Sequence, residues 1–355
     1  MKTQSKRAEL RFDHLGDMLT EIGLWQHCEE CQPNPCHGYS IDDEARGLIV
    51  GLRYWQEGVE PQFYERLART CFNFVQGAAI TSGQCAGQYH NFCDMQGRWL
   101  DSVGSEDSFG RTLWGLGVAH AADAPFAPRA IAETLLLGSL PVLPTMRPTY
   151  LRAKAFVILG LAESRIADDQ IRLLADALAD KYEACRDENW HWFEDQMTYC
   201  NARLPQALFV ASRLFPDNPR PKKIAMESLD FLLEKTRNFQ GSYDPVGNLR
   251  LTEAGWFTRH DDAPPRFDQQ PVDAGALVEC CAEAFRATGE PRYRQAAYDA
   301  FGWYLGRNCH GLPVFDAETG GVSDALTPNG LNSNQGAESV LSVHLAHQAL
   351  QTILE

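Results

Sequence analysis

Apolar residues along this chain recur at intervals of three and four, and almost nowhere at intervals of two, so the periodicity predicts helices and very little strand. Residues 8 to 27 carry Leu10, Leu15, Met18, Leu19, Ile22 and Leu24 on one side and predict an amphipathic helix. Glu44 to Tyr54 predicts a more buried one, and Pro61 opens another amphipathic helix to about Gln76, proline being tolerated in a first turn whose N–H groups have no helical partner. The alternation continues through an apolar helix after Gly104–Arg111, then Pro128–Leu140, the strongly apolar Pro148–Glu163 and the amphipathic Asp168–Cys185. A helix starting near Asn201 or Ala202 and the segments Pro221–Asn238, Phe267–Phe285, Pro291–Arg307 and Asn334–Leu350 complete the series. About twelve helices result, a more amphipathic one alternating with a more apolar one.

A hairpin of that kind cannot bury its apolar face alone, whereas six of them close into an all-α (α/α)6 toroid with the apolar members inside. The inner members are predicted to begin near residues 43, 107, 149, 201, 269 and 335, and the whole chain, 1–355, reads as one such domain. An open solenoid would require a near-constant repeat, and the loops here vary widely in length. In a closed toroid the loops leading into the inner helices converge at one end. Those loops carry Asp42 and Asp43, Glu106 and Asp107, Glu194 and Asp195, Asp268 and Asp273, and Glu338, in the company of Tyr39, Tyr89, His90, Trp99, Trp190, His191, Trp192, Tyr199, Trp256 and Phe257.

Acids and aromatics in one mouth fit carbohydrate chemistry, since aromatic faces stack on the C–H faces of sugar rings while acids and amides bind hydroxyls. Each acid also has a structural reading. Asp before a helix is a good N-cap, and Asp42 with Arg46 or Asp107 with Arg111 fits an i, i+4 pair. Trp99 and Trp192 suit plugs over the barrel mouth.

Composition narrows the field. The formal charge of −15 over 355 residues makes counterion-driven nucleic-acid binding and a basic membrane patch improbable, and favours a neutral substrate. No apolar run spans a bilayer, and the amino terminus lacks the apolar core of a secretory signal, so a cytoplasmic location is expected. Most of the eleven cysteines read as small hydrophobes. Cys28, Cys31, Cys36 and the adjacent His37 have the density of a zinc site without a second C-x-x-C, and the expectation is no bound metal and no cofactor. No dinucleotide or P-loop fingerprint is present.

Five motifs, H-G-Y-S-I-D-D-E-A-R from His37, G-S-E-D-S-F-G-R from Gly104, W-F-E-D-Q-M-T-Y-C-N-A-R-L-P-Q-A-L from Trp192, F-D-Q-Q-P-V-D-A from Phe267 and N-Q-G-A-E-S from Asn334, resemble the helical domain that occurs alone or appended to group-1 glycosyltransferases, within the six-hairpin glycosidase-like superfamily. The resemblance implies an (α/α)6 fold, a carbohydrate substrate and a functional link to a glycosyltransferase. It does not supply a reaction. Asp43 resembles in placement the aspartate that starts an inner helix in unsaturated glucuronyl hydrolases, which makes it a candidate acid. Asp107 and Asp195 are the next catalytic candidates, with Glu106 and Glu194 as neighbours able to exchange roles with them. Tyr39, His37, Asp42, His90, Trp190, His191, Asn201, Arg203, Trp256, Asp268, Gln269, Gln270, Asn334, Gln335 and Glu338 are the candidate substrate-binding residues. Arg46, Arg111 and Arg203 are expected to orient carboxylates. A glycoside hydrolase with two carboxylates is the leading expectation, beside a sugar epimerase using His90, His191 or His260 as base and a non-catalytic glycan-binding partner of a glycosyltransferase.

Overall fold

The computed structural model describes residues 10–237, 257–261 and 267–354. Among these are twelve α-helices: α1 (Asp13–Met18), α2 (Ile41–Glu57), α3 (Pro61–Ala78), α4 (Glu106–Ala122), α5 (Arg129–Ser139), α6 (Leu151–Ser164), α7 (Asp168–Cys185), α8 (Arg203–Leu214), α9 (Arg220–Arg237), α10 (Pro271–Thr288), α11 (Pro291–Gly302) and α12 (Ala337–Gln351). The even-numbered helices each touch the next, and α12 touches α2, so the inner ring closes. Helices α3, α5, α7, α9 and α11 pack outside the inner helix that precedes them, and α1 packs on α12. This is the (α/α)6 toroid. Burial follows the sequence pattern: α10 is buried at every position from Pro271 to Ala284, whereas α7 buries only the stripe Ile171, Leu174, Ala175, Leu178, Ala179 and Tyr182. No helix among the described residues is long and apolar enough to cross a membrane.

The first outer helix is far shorter than the periodicity of residues 8 to 27 predicts. Thr20 accounts for its end. The Thr20 hydroxyl donates to the Gly23 carbonyl and accepts the N–H groups of Ile22 and Gly23, offering the backbone a turn in place of the helical ladder. A Cβ on Gly23 would lie 2.2 Å from the Glu44 carboxylate, so the turn is pressed against α2. Leu19 and Leu24 then bridge as extended chain, keeping their apolar side chains in the core.

Strands among the described residues are two or three residues long and serve as clips between loops. Tyr39–Ser40 pairs with Phe92–Cys93, Gln196–Met197 with Phe257–Thr258, and Ala325–Thr327 with Gly330–Asn332. The first two clips hold the loops leading into α2 and α8. Trp192 is fully buried, and half-buried Trp99 lies edge-on to Phe74 of the outer helix α3 at 5.1 Å.

Inner helices α4 and α6 approach closely because glycines line their contact. A Cβ on Gly160 would fall 2.3 Å from the Leu113 carbonyl oxygen, and one on Gly117 would fall 2.0 Å from the Gly160 carbonyl oxygen. Backbone on both sides leaves no flexible side chain to yield. Gly160→Ala is therefore expected to destabilise by about 1–3 kcal/mol, read as a lower urea midpoint. Gly77→Ala, on α3 with nothing within 4 Å of the added Cβ, is the control and should be neutral or slightly stabilising. Equal midpoints for both variants would contradict this account of the α4–α6 contact.

Candidate functional site

The six inner helices direct their amino-terminal ends to one end of the barrel, where unpaired N–H groups and the positive ends of the helix dipoles favour carboxylates. Capping does not consume the acids there. Ser40 caps α2 by accepting the Asp42 N–H, Ser105 caps α4 by accepting the Ser108 N–H, and Asp324 accepts the Gly336 N–H and the Ser339 hydroxyl at the start of α12. Asp42, Asp43, Asp107 and Glu338 are left to pair with arginines.

The pairing differs from the i, i+4 expectation on α2. Arg46 donates to Asp43 at 3.0 Å and to Glu338 at 2.5 Å, which ties α2 to α12. Asp42 instead meets Arg111 of α4 at 3.0 Å, and Arg111 also reaches Asp107 at 3.2 Å, the i, i+4 pair expected on that helix. Arg152, at the start of α6, pairs with Glu194 at 2.7 Å and donates to Asn201 at 3.0 Å. Arg203 pairs with Glu279 at 2.5 Å, donates to Gln206 and lies over the Trp114 ring. The arginines thus orient carboxylates, and they tie α12 to α2 and α2 to α4, α8 to α10, and α6 to the loop before α8.

Within this network the carboxyls divide by ionisation. Burial pushes the Asp43 carboxyl up to about 7, against the opposing pull of Arg46. Asp273, in the first turn of α10, is pushed by burial up to about 8, although it accepts the Cys200 backbone N–H, and its Oδ2 has no hydrogen-bond partner. Cys200 takes a left-handed φ of 45° in the loop before α8. Its thiol sits 3.8 Å from Arg111, and burial raises it to about 11, so the thiol is protonated at neutral pH. Glu338 goes the other way. Burial works to raise it, but Arg46 and Arg111 outweigh that and hold it below the ordinary range. Its side chain keeps 46% exposure. The end of the barrel therefore sets Asp273, which stays protonated at neutral pH, and Asp43, raised into the neutral range, beside the ionised Glu338.

Beside this network opens a cavity of about 530 Å³, lined by Glu106, Asp107, Arg152, Glu194, Tyr150 and Tyr199 among others. Both tyrosines are exposed, Tyr199 by 45%, with Arg152 against the Tyr199 ring. Glu106 accepts the Arg147 backbone N–H there.

Other candidates stand elsewhere. Asp195 is 81% exposed and pairs with Arg259 at 3.3 Å, apart from the buried network. Trp190 is buried among Phe231 and Phe257 and donates to the Glu194 carbonyl, which fixes the loop carrying Glu194. His191 packs edge-on to Phe231, His90 stacks on Trp99 with Nδ1 on the Asp101 carbonyl, and His260 is exposed. Tyr39 is a core residue stacked on Trp25, with its hydroxyl on Thr20. Gln269 is buried between Trp303 and Cys309, Asn201 braces Thr198 and Arg152, and Asn334 accepts the Glu30 N–H. Gln270 flanks the first turn of α10, Asp268 is exposed, and Gln335 keeps a buried Oε1 without a partner. Trp256 lies outside the described residues.

The thiols before α2 do not converge. Cys28 is buried against His14 at 3.8 Å, Cys31 and Cys36 are exposed, and among the described residues no group of three or more His, Cys, Asp or Glu is disposed to hold a metal. His37 instead lies edge-on to His27 at 4.9 Å, and His27 is close enough to Glu338 for each to act on the other's charge. Desolvation and the neighbouring His37 lower the His27 imidazole below its ordinary value.

Sequence reading assigns no part to Arg152, Cys200, Glu279 or His27 and gives Asp273 no specific role. Arg152 had a usable signal, one of two cations, with Lys154, in the first turn of an otherwise apolar inner helix.

No family model and no curated protein matches the chain. Solved structures do. A sugar epimerase from a ruminal bacterium aligns with a TM-score of 0.73 at 10% identity, over 97% of this chain and 96% of its own. Cellobiose 2-epimerase from Spirochaeta thermophila aligns at 0.69 and 13% identity, over 96% and 93%. A family 76 α-mannanase from Bacteroides thetaiotaomicron aligns at 0.64 and 10% identity, over 95% and 92%. At such identities the likeness establishes the shared toroid.

The raised Asp273 carboxyl makes stability depend on pH. Between about pH 4 and pH 8 the folded state holds a proton that the unfolded chain has released, so the stability Asp273 supplies is present at low pH and lost as pH rises through that window. Asp273→Asn removes the ionisation. Its melting temperature should exceed that of the wild type at pH 8 by about 2 °C or more, roughly 1 kcal/mol, with the margin shrinking toward pH 4. A margin constant with pH would overturn the assignment.

Proposed function

We propose that the protein is a glycoside hydrolase that cleaves a neutral oligosaccharide or exopolysaccharide fragment, with Asp273 as general acid and Glu338 as base or nucleophile. The observation that carries this reading is the divided ionisation of adjacent carboxyls at the barrel mouth: Asp273 is held protonated with an unpartnered oxygen, and Glu338 is held ionised with its side chain open to solvent. Glycoside cleavage needs that combination, a proton for the leaving oxygen and a carboxylate to activate water or attack the sugar. Asp43 and Arg46 fix the Glu338 carboxylate, and Asp43 is the alternative acid because it too is raised.

The substrate reading follows from charge. Arg46, Arg111, Arg152 and Arg203 each face a carboxylate already, so the network offers no spare guanidinium for a uronate or phosphate, and a neutral sugar fits. Tyr150 and Tyr199 give the adjoining cavity aromatic faces for a pyranose ring, with Asp107 and Glu194 beside them for its hydroxyls. Action as a single domain in the cytoplasm, alongside a glycosyltransferase, completes the proposal.

A second reading is a sugar epimerase. What favours it is His27, lowered toward the neutral form a base requires and placed near Glu338, together with a toroid shared with two epimerases. The two readings separate in one experiment: a panel of α- and β-linked oligosaccharides and free reducing sugars, with and without phosphate, incubated in D₂O. Hydrolysis yields new reducing ends, reduced at least about 100-fold in Asp273→Asn and Glu338→Gln. Deuterium entering one carbon without new reducing ends, and lost in His27→Gln, would establish the epimerase instead. No turnover anywhere, with sugar binding retained in every variant, would sink both enzymes and leave a glycan-binding module.

A further inference from the structure

Arg152 spends its whole guanidinium on one loop. Its Nε donates to the Tyr199 carbonyl, its Nη1 to the Glu194 carboxylate at 2.7 Å and its Nη2 to the Asn201 side chain at 3.0 Å. The same guanidinium stands 5.1 Å from the centre of the Tyr199 ring. Arg46 and Arg203 each join two inner helices, whereas Arg152 joins α6 to the loop before α8. Two of its partners, Glu194 and Tyr199, line the cavity of about 530 Å³ together with it.

That loop has little regular structure to hold it. Between the Gln196–Met197 clip and α8 the backbone forms no helix or strand, Cys200 takes its left-handed φ there, and Tyr199 beside it is exposed. Asn201 folds the segment on itself, accepting the Thr198 N–H at 3.1 Å and donating to the Thr198 carbonyl at 3.0 Å. Arg152 then clamps the folded segment to α6. An exposed aromatic on an irregular loop loses rotamer and backbone freedom when a ligand stacks on it, and that ordering is subtracted from the binding free energy. The clamp supplies the order beforehand.

The task suits arginine. A planar fork with donors in fixed directions holds a carbonyl, a carboxylate and an amide oxygen at once and still lays its face against a ring, whereas an ammonium has neither the face nor the fixed spread. The clamp also leaves Glu194 usable. Arg152 takes Oε2, the Glu194 side chain keeps 23% exposure, and Oε1 accepts no hydrogen bond among the described residues.

We propose that Arg152 is the positioning residue of this cavity: it holds the Tyr199 ring and the Glu194 carboxylate in one fixed relation, so that a pyranose lying on Tyr199 meets Glu194 Oε1 with a hydroxyl. The proposal rests on the reading of this cavity as the place where a neutral sugar binds, and it holds for either reaction.

The test is titration calorimetry of cellotriose, maltotriose and mannotriose into the whole chain carrying Asp273→Asn, which disables the proposed acid so that the sugar is not consumed. Saturable binding of at least one trisaccharide is expected. It should weaken about tenfold when Arg152→Lys is added, because the charge survives and the fork does not. The pair Tyr199→Ala/Glu194→Gln should weaken it as much, and Arg152→Lys added to that pair should change it by less than about twofold, since Arg152 acts through those two groups. A merely structural role would instead add its loss to that of the pair. Thermal melts confirm that each variant is folded. Should Arg152→Lys not fold, Asn201→Ala, which removes the amide between Arg152 and Thr198, takes its place with the same expectations. No binding of any trisaccharide, binding unchanged by Arg152→Lys, or a full further loss on the Tyr199→Ala/Glu194→Gln background overturns the proposal. Failure of the wild type to hydrolyse, with this binding pattern intact, sinks the hydrolase alone and leaves Arg152 in its role.

Discussion

Arg46 is the side chain on which both closure and chemistry turn. It stands between Asp43 on its own helix and Glu338 on α12, and so it fastens the first inner helix to the last. A toroid of helical hairpins is stable only when that seam closes, because an open seam would leave one apolar face of α2 and one of α12 in water. Taking these charges out of water costs several kcal/mol per ion, and the mutual attraction offsets this only with good geometry and several partners. Arg46 has that geometry, with Asp43 at one terminal nitrogen and Glu338 at the other. The same contact holds Glu338 ionised at the barrel mouth, so the interaction that closes the fold also sets the state of the proposed base.

Depth explains why like groups at one end of the barrel behave differently. All six inner helices point their positive ends toward the mouth, which by itself would keep every carboxyl there ionised. Asp43 and Asp273 sit low enough for desolvation to win, and they are raised to about 7 and about 8. Glu338 sits where solvent still reaches it and two arginines face it, and it is lowered. A barrel of converging helix ends thus leaves carboxyls in different ionisation states according to how far each is withdrawn from water and how many arginines face it.

The alternation of apolar and amphipathic segments made the toroid legible in the sequence, because inner helices must be apolar nearly all round while outer ones need only a stripe. The starts of the inner helices were legible for a related reason: the polar loop residues and the apolar run behind them change period abruptly. The first outer helix was misjudged because periodicity does not register Thr20, whose hydroxyl ends the helix through local hydrogen bonds. The site was legible only as a set of acids. Asp195 and Glu194 are neighbours in sequence, yet one faces Arg259 on the exposed rim and the other faces Arg152. Which neighbour turns inward depends on the clip between Gln196–Met197 and Phe257–Thr258 and on the Trp190 bond to the Glu194 carbonyl, contacts between distant segments that no local pattern encodes. Asp273 was hidden for the opposite reason, since an acid inside the first turn of a helix reads as a favourable charge on the dipole.

The toroid is shared with epimerases and with a mannanase, so the scaffold does not choose the reaction. The choice rests with the few side chains carried at the first turns of the inner helices and on the loops just before them. In this chain the first turns carry carboxylates and arginines, and the histidine near them, His27, comes from a loop outside the ring. A base on a loop must be held in place to take a proton from one sugar carbon, and His27 is held by an edge-on contact with His37, itself exposed. Glu338, by contrast, is fixed by Arg46 across two inner helices, and Asp273 sits in the first turn of α10 accepting the Cys200 N–H, and side chains carried on rigid helices are the ones that position reacting groups most accurately. Rigidity therefore favours the carboxyl pair over the imidazole as the reacting groups, and with it hydrolysis over epimerisation.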